Sequence, residues 1–133
     1  MLSLNRGREI FFDVGVQSAS GRWTRYAPVR NRIAELLAAE GMALRGFYAC
    51  PHLPTGVVQE FAVACDCRKP KVKIVEDYLR DHAIDTAQSA VIGDRDTDLQ
   101  FARNLGIRGL RFRIGGAESE TWPAIARELL ARR

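Results

Sequence analysis

Three cysteines and one histidine dominate the chemistry open to this chain. Cys50-x-His52 is followed, after twelve intervening residues, by Cys65-x-Cys67. Three thiolates and one imidazole make a complete tetrahedral donor set for structural zinc, with no position left open to substrate. Soft sulfur ligands select zinc over magnesium or calcium. Every cysteine of the sequence lies in this one stretch, and their odd number gives no closed disulfide framework. The bland alternative is three buried cysteines beside an unrelated surface histidine, and the two x-spaced couples weigh against it. Such a centre pins a loop and leaves catalysis to its neighbours.

The neighbours are charged. Arg68-Lys69-Pro70-Lys71 follows the second couple directly. Alone, a basic cluster before a helix is solvated surface. Beside a metal-pinned loop, a lysine fixed by the following proline can hold its ammonium against a phosphoryl group. Arg68 and Lys69 are therefore the candidate substrate-binding residues. The third element is Val91-Ile92-Gly93-Asp94-Arg95-Asp96-Thr97-Asp98, an apolar strand ending in Gly-Asp with further acids entering a helix. Oxygen donors at a strand tip suit magnesium, which keeps room for water and a substrate phosphate. Asp94, expected to be buried at the strand end, is the candidate catalytic magnesium ligand, and Asp98 is an outer-shell candidate. Asp96 and Asp98 also read simply as carboxylates favoured at a helix N-terminus.

The elements that must position these groups alternate. Val29, Ile33, Leu36 and Leu37 recur at helical spacing after Pro28, and Gly41 ends that helix. Gly46 to Cys50 reads as a buried strand. A helix follows from about Lys71 to His82, then a strand over Ser89 to Ile92. A further helix, roughly Thr97 to Leu105, is closed by Gly106. Gly109 to Phe112 is a strand, and a last helix starts near Trp122-Pro123, with Ile125, Leu129 and Leu130 on its apolar side. This order predicts an α/β fold with a parallel sheet, whose ligands gather beyond the carboxyl ends of the strands. Cys50 and Asp94 then share one edge. Before Pro28 the pattern is less regular: Glu9 to Phe12 suits a strand ending at Asp13, and Gln17 to Arg25 reads as loop.

At 133 residues the chain is one domain, 1–133, with an atypical first 26 residues and a zinc-binding loop over 50–67. Apolar (47%) and charged (27%) fractions are those of an ordinary globular protein. No stretch is long enough for a membrane span, and Met1 to Glu9 has no apolar signal centre, so a cytoplasmic location is expected. The net charge of +4 suits a phosphorylated substrate. With no dense basic run interleaved with aromatics, nucleic-acid binding is not expected.

Taken together, Cys50-Pro51-His52-Leu53-Pro54, Cys65-Asp66-Cys67-Arg68-Lys69-Pro70-Lys71-Val72-Lys73 and Val91 to Asp98 resemble the histidinol-phosphate phosphatases of the haloacid-dehalogenase-like superfamily. That family occurs alone or as the N-terminal half of a bifunctional enzyme with imidazoleglycerol-phosphate dehydratase. The likeness runs from about Pro28 to the end, including Asn104-Leu105-Gly106-Ile107 and Trp122-Pro123. The heptose bisphosphate phosphatases have a similar zinc loop and are the nearest competitor. The resemblance implies a three-layer Rossmann-like parallel sheet of the haloacid-dehalogenase type. It also implies hydrolysis of histidinol phosphate in histidine biosynthesis through a phosphoaspartyl intermediate, with catalytic magnesium and structural zinc. Lys69 matches the lysine that steadies nucleophile and phosphate, Asp94 the magnesium-binding aspartate, and Cys50, His52, Cys65 and Cys67 the zinc ligands. A dehydratase domain or self-association is the implied partner.

Two departures stand out. Thr55 to Ala64, between the ligand couples, is longer and more apolar than the family loop. More seriously, no Asp-x-Asp-Gly-Thr run stands near the N-terminus. Counting back from Cys50 assigns Ile10 to Asp13 to the family's second strand, so the nucleophile strand would fall before Met1 and the fold is expected to be N-terminally incomplete. Ile10-Phe11-Phe12-Asp13-Val14-Gly15 imitates that strand with glycine in place of the second aspartate, and Asp13 is expected only to end a strand. Such a sheet would expose an edge and apolar helix faces, which predicts poor solubility or self-association.

Overall fold

The computed structural model describes residues 9–15, 26–41 and 43–131. Four strands and four helices alternate: β1 (Glu9–Gly15), α1 (Tyr26–Ala39), β2 (Ala43–Cys50), α2 (Lys73–Asp81), β3 (Ala90–Gly93), α3 (Asp96–Leu105), β4 (Arg108–Arg111) and α4 (Trp122–Leu130). Short 3-10 turns at Gln59–Phe61, Thr86–Gln88 and Glu118–Glu120 punctuate the connections.

The strands form two parallel ladders, β1 with β2 and β3 with β4, and among the described residues no backbone pairing joins them. A parallel pair needs a crossover, and α1 and α3 supply one each. The expectation of parallel α/β architecture holds, as paired ladders. β1 differs from its expected extent. Instead of ending at Asp13, it runs on to Gly15, because Asp13, Val14 and Gly15 pair with Tyr48, Ala49 and Cys50. Its position beside β2, one helix earlier in the chain, agrees with its reading as the strand preceding the metal-loop strand.

The β3–β4 ladder is covered on both faces. Strand side chains alternate in direction, so Val91 meets Val75 of α2 with Phe101 and Ala102 of α3, joined by Ile107. Ala90 and Ile92 point the other way, with Leu110, onto Ile125 of α4. Three layers therefore stack here: α2 and α3, the ladder, and α4. Phe101 is fully buried and Ile125 nearly so, each contributing about 2–3 kcal/mol of apolar burial. Tyr48 of β2 packs against the first cluster and ties the other ladder to it.

Local chemistry sets the helix ends. α3 starts where the Arg95 amide donates to Asp98 Oδ2 at 3.0 Å. It stops at Gly106, whose φ of 67° is left-handed, with the Ile107 amide returning to the Ala102 carbonyl at 2.9 Å. α4 starts at Thr121, whose hydroxyl accepts from the Ala124 amide. Gly41, at φ 70°, closes the turn after α1 as expected. The apolar stripe of α1 is only partly used: Ile33 and Leu37 are half-buried, whereas Val29 and Leu36 stay exposed. Helical spacing set the stripe, but α1 packs mainly against β2 among the described residues, and half of the stripe stays uncovered.

Candidate metal centre and adjoining site

β2 delivers Cys50 to the centre at its last residue, buried to 3% exposure. His52 follows two residues on, and the chain then makes an excursion through the 3-10 turn before Cys65 and Cys67 come back. One donor atom from each of the four residues lies within 4.8 Å of all the others. Cys50 Sγ stands 3.5 Å from Cys65 Sγ and 2.9 Å from Cys67 Sγ. His52 Nδ1 stands 3.2 Å from Cys67 Sγ and 3.7 Å from Cys50 Sγ. Bonds of about 2.3 Å to a tetrahedral zinc separate sulfur ligands by about 3.8 Å. Both sulfur–sulfur spacings fall short of that value, and all four donors lie within 4.8 Å of one another, so the set is compact enough to close on the ion after a small outward adjustment.

Protonation in the cluster points the same way. Burial raises the Cys50 thiol, and it drives Cys67 to about 12 with help from hydrogen bonds to Cys50 and Cys65. Cys65 is also pushed up by burial, but hydrogen bonds from Cys67, Cys50 and the Cys67 and Arg68 amides bring it down to about 7. Without a cation the three sulfurs can share little negative charge. A divalent ion removes that obstacle and displaces the protons. The long apolar excursion has a use that its composition does not suggest. Its Phe61 carbonyl accepts from the Leu53 amide at 2.9 Å, and the Phe61 ring meets His52 edge-on at 6.4 Å. Val57 and Val63 remain exposed.

The basic segment leaves the centre and crosses to α3. Arg68 Nη1 donates to the His52 carbonyl at 2.9 Å, which anchors it to the metal loop. Lys71 Nζ donates to the Cys65 carbonyl and to Asp66, at 2.9 and 2.8 Å. Lys69 points the other way: its ammonium lies 2.6 Å from Asp98 Oδ1, with side-chain exposures of only 14% and 7%. So the sequence-adjacent Arg68 and Lys69 serve two different contacts, and Lys69 joins the metal loop to the helix after Asp94.

The three acids of that segment separate by partner. Asp98 was expected as an outer-shell group and Asp94 as the buried one; the structure reverses their burial. Asp98 is buried at 5% exposure and Asp94 is exposed, because Lys69, distant in sequence, supplies the counter-charge that lets Asp98 go inside. Burial works to raise the Asp98 carboxyl, but the Lys69 hydrogen bond and charge and the Arg95 amide together hold it below its ordinary value. Asp96 is taken by Arg111 of β4, which also donates to the Asp94 carbonyl at 3.2 Å. Asp94 alone of the three keeps its carboxylate without a hydrogen-bonding partner among the described residues, at the tip of β3 where a cation could reach it.

Gly93 is required by this packing. A Cβ there would fall 2.2 Å from Asp98 Cβ and 2.4 Å from its Cγ. Sequence reasoning missed Phe61, Arg111 and Asn104. Asn104 Nδ2 donates to the Pro70 carbonyl at 2.9 Å. No local pattern marks an arginine at a strand end or an asparagine late in a helix as part of a site. The structure thus brings Cys50, His52, Cys65 and Cys67 together, and joins Arg68 to them through the His52 carbonyl. Asp98, four residues past Asp94, meets Lys69.

A family model described as HAD-hydrolase-like matches residues 66–128. Among curated proteins, the histidine biosynthesis bifunctional protein HisB of Actinobacillus pleuropneumoniae is 37% identical over 102 residues, covering 77% of this chain and 26% of that protein. HisB of Campylobacter jejuni subsp. doylei is 36% identical over 124 residues, covering 89% and 32%. The chain spans about a third or less of the curated relatives it matches. A crystal structure of D,D-heptose 1.7-bisphosphate phosphatase from B. bronchiseptica, complexed with magnesium and phosphate, superimposes with a TM-score of 0.68 at 23% identity. It covers 94% of this chain and 74% of that one. At that identity the likeness establishes the shared fold.

Proposed function

From the match of a HAD-hydrolase-like family model to residues 66–128 and the likeness to the HisB proteins, we propose that this chain is a haloacid-dehalogenase-like hydrolase and serves the hydrolysis of histidinol phosphate to histidinol and phosphate. Lys69 binds the phosphoryl group, Asp94 holds magnesium, and Cys50, His52, Cys65 and Cys67 hold a structural zinc. The observation that carries this reading is the path of Lys69: it leaves the four-donor loop and ends, buried, on Asp98 of the helix that follows Asp94. A phosphate placed between Lys69 and Asp94 would meet an ammonium on one side and a metal-binding carboxylate on the other. Magnesium, when bound, supplies charge neutralisation on the phosphoryl oxygens. Arg68 supports the loop through the His52 carbonyl and adds positive charge near the phosphate.

The choice of histidinol phosphate rests on kinship with the HisB proteins across most of the chain. The heptose bisphosphate phosphatase neighbour supports the alternative of a sugar bisphosphate, at a lower identity. A second reading has its own support in the sequence: without an Asp-x-Asp-Gly-Thr run near the N-terminus, the chain would bind zinc and phosphate without turnover. The assay is phosphate release from histidinol phosphate with magnesium, on zinc-loaded chain and on Asp94→Asn and Asp13→Asn. Magnesium-dependent release lost in Asp94→Asn supports the first reading. Loss in Asp13→Asn as well would make Asp13 the nucleophile. Phosphate binding with no release in any form favours the second reading and overturns the first for this chain.

A further inference from the structure

We propose that Asn104 is the positioning residue for Lys69. Its side-chain amide, in the last turn of α3, holds the Pro70 carbonyl so that the Lys69 ammonium reaches Asp98 in the first turn of the same helix. The proposal rests on the reading of Lys69 as the phosphoryl-binding lysine for its functional meaning. The hydrogen bond itself, Asn104 Nδ2 to Pro70 O at 2.9 Å, joins residues 34 apart in sequence. The direction of the amide is fixed independently: Asn104 Oδ1 accepts from Gln100 Nε2 at 2.9 Å, and Gln100 Oε1 accepts from Arg103 at 2.9 Å. Asn104 therefore presents its donor, and not its acceptor, to the loop.

Pro70 has no amide hydrogen, so its carbonyl is the one backbone group through which it can be held. The loop turns sharply here, with the Lys71 amide on the Arg68 carbonyl at 3.0 Å. Asp98 and Asn104 lie about 9 Å apart along the helix axis. They grip the Lys69-Pro70 pair at its side chain and at its backbone. The Asn104 contact is exposed, so its loss should cost little global stability. Its effect should appear at Lys69.

The test is nitrogen-15 NMR of lysine ammonium groups in the zinc-loaded full chain, reading proton exchange at Lys69 Nζ. Lys69→Arg assigns the signal, and Asp98→Ala gives the exchange of the ammonium once its contact with Asp98 is removed. Asn104→Ala and the isosteric Asn104→Asp should each speed exchange about fivefold, the equivalent of one lost hydrogen bond. Asn104→Asp should recover nothing, since a carboxylate cannot donate to Pro70. Amides of the Phe101 core should keep their protection in both. Unchanged Lys69 exchange in the folded variants overturns the proposal, as does a Lys69 ammonium that exchanges freely in the unaltered chain. Turnover does not enter this readout: a chain that releases no phosphate but shows the expected Lys69 response loses the proposed function and keeps this role for Asn104.

Discussion

The stretch from β2 to Val72 and the stretch from β3 to α4 are held together by different physics. Of the buried apolar side chains among the described residues, Cys50 alone precedes Val75; Val91, Ile92, Phe101, Ile107, Leu110 and Ile125 all belong to the later stretch. The later stretch is a small three-layer core around one parallel ladder. The earlier one has exposed loop residues such as Val57 and Val63, with its order concentrated in four metal-type donors. A metal cross-link can take the place of core where too little apolar surface is buried. Lys69 spans the boundary, so any phosphate site built on it inherits both kinds of support.

Stripping zinc should separate the two stretches most widely. A structural zinc contributes on the order of 10 kcal/mol of apparent binding free energy. Chelation should therefore abolish hydrogen-exchange protection over residues 43–72 and leave β3, α3 and β4 protected. Equal loss in both stretches would erase the distinction. Because Cys50 and Cys67 are held protonated and Cys65 sits near 7, zinc binding must release protons. Zinc affinity should rise with pH through the neutral range, which a competition titration at several pH values would measure.

The complementary break is Phe101→Ala. With its ring fully buried, the cavity should cost about 3–5 kcal/mol, read by denaturant unfolding of the zinc-loaded chain. Val57→Ala, at 74% exposure in the metal loop, should stay within about 0.5 kcal/mol. Comparable losses would mean that the loop packs more than its exposure indicates. Gly93→Ala probes the junction of strand and helix. Its new methyl collides with Asp98, and the repacking should cost about 1–3 kcal/mol and weaken the Lys69 contact.

The smallest expected effect is the pH dependence of that contact. The folded Asp98 carboxyl is held below its ordinary value, so its contribution is present above about pH 4 and lost as pH falls through the lowered folded value. Melting of Asp98→Asn should be shifted relative to the unaltered chain at neutral pH, with the gap closing in acid. A constant gap would mean that the pair does not titrate with folding.

The two stretches also differed in how far they could be read from sequence. The convergence of the four candidate donors was legible because the spacing of soft donors is a local signal, and the ends of α3 were legible because Gly106 and the acids near Asp98 act within one turn. Which acid is buried was not legible. Asp98 goes inside only because Lys69 arrives from another loop, and nothing near Asp94 or Asp98 encodes that. The extent of β1 was missed for a similar reason, since its last residues are strand by virtue of pairing with Tyr48 to Cys50. The roles of Asn104, Arg111 and Phe61 depend on contacts across loops, and the exposed half of α1 on what that helix has to pack against.

The most direct test of the account is a calorimetric titration of inorganic phosphate with magnesium into the zinc-loaded chain, alongside Lys69→Ala and Asp94→Asn. The account predicts a single phosphate site that is lost in both variants and weakened when magnesium is withheld. Phosphate affinity unchanged by either substitution would contradict the assignment of Lys69 and Asp94 to one site.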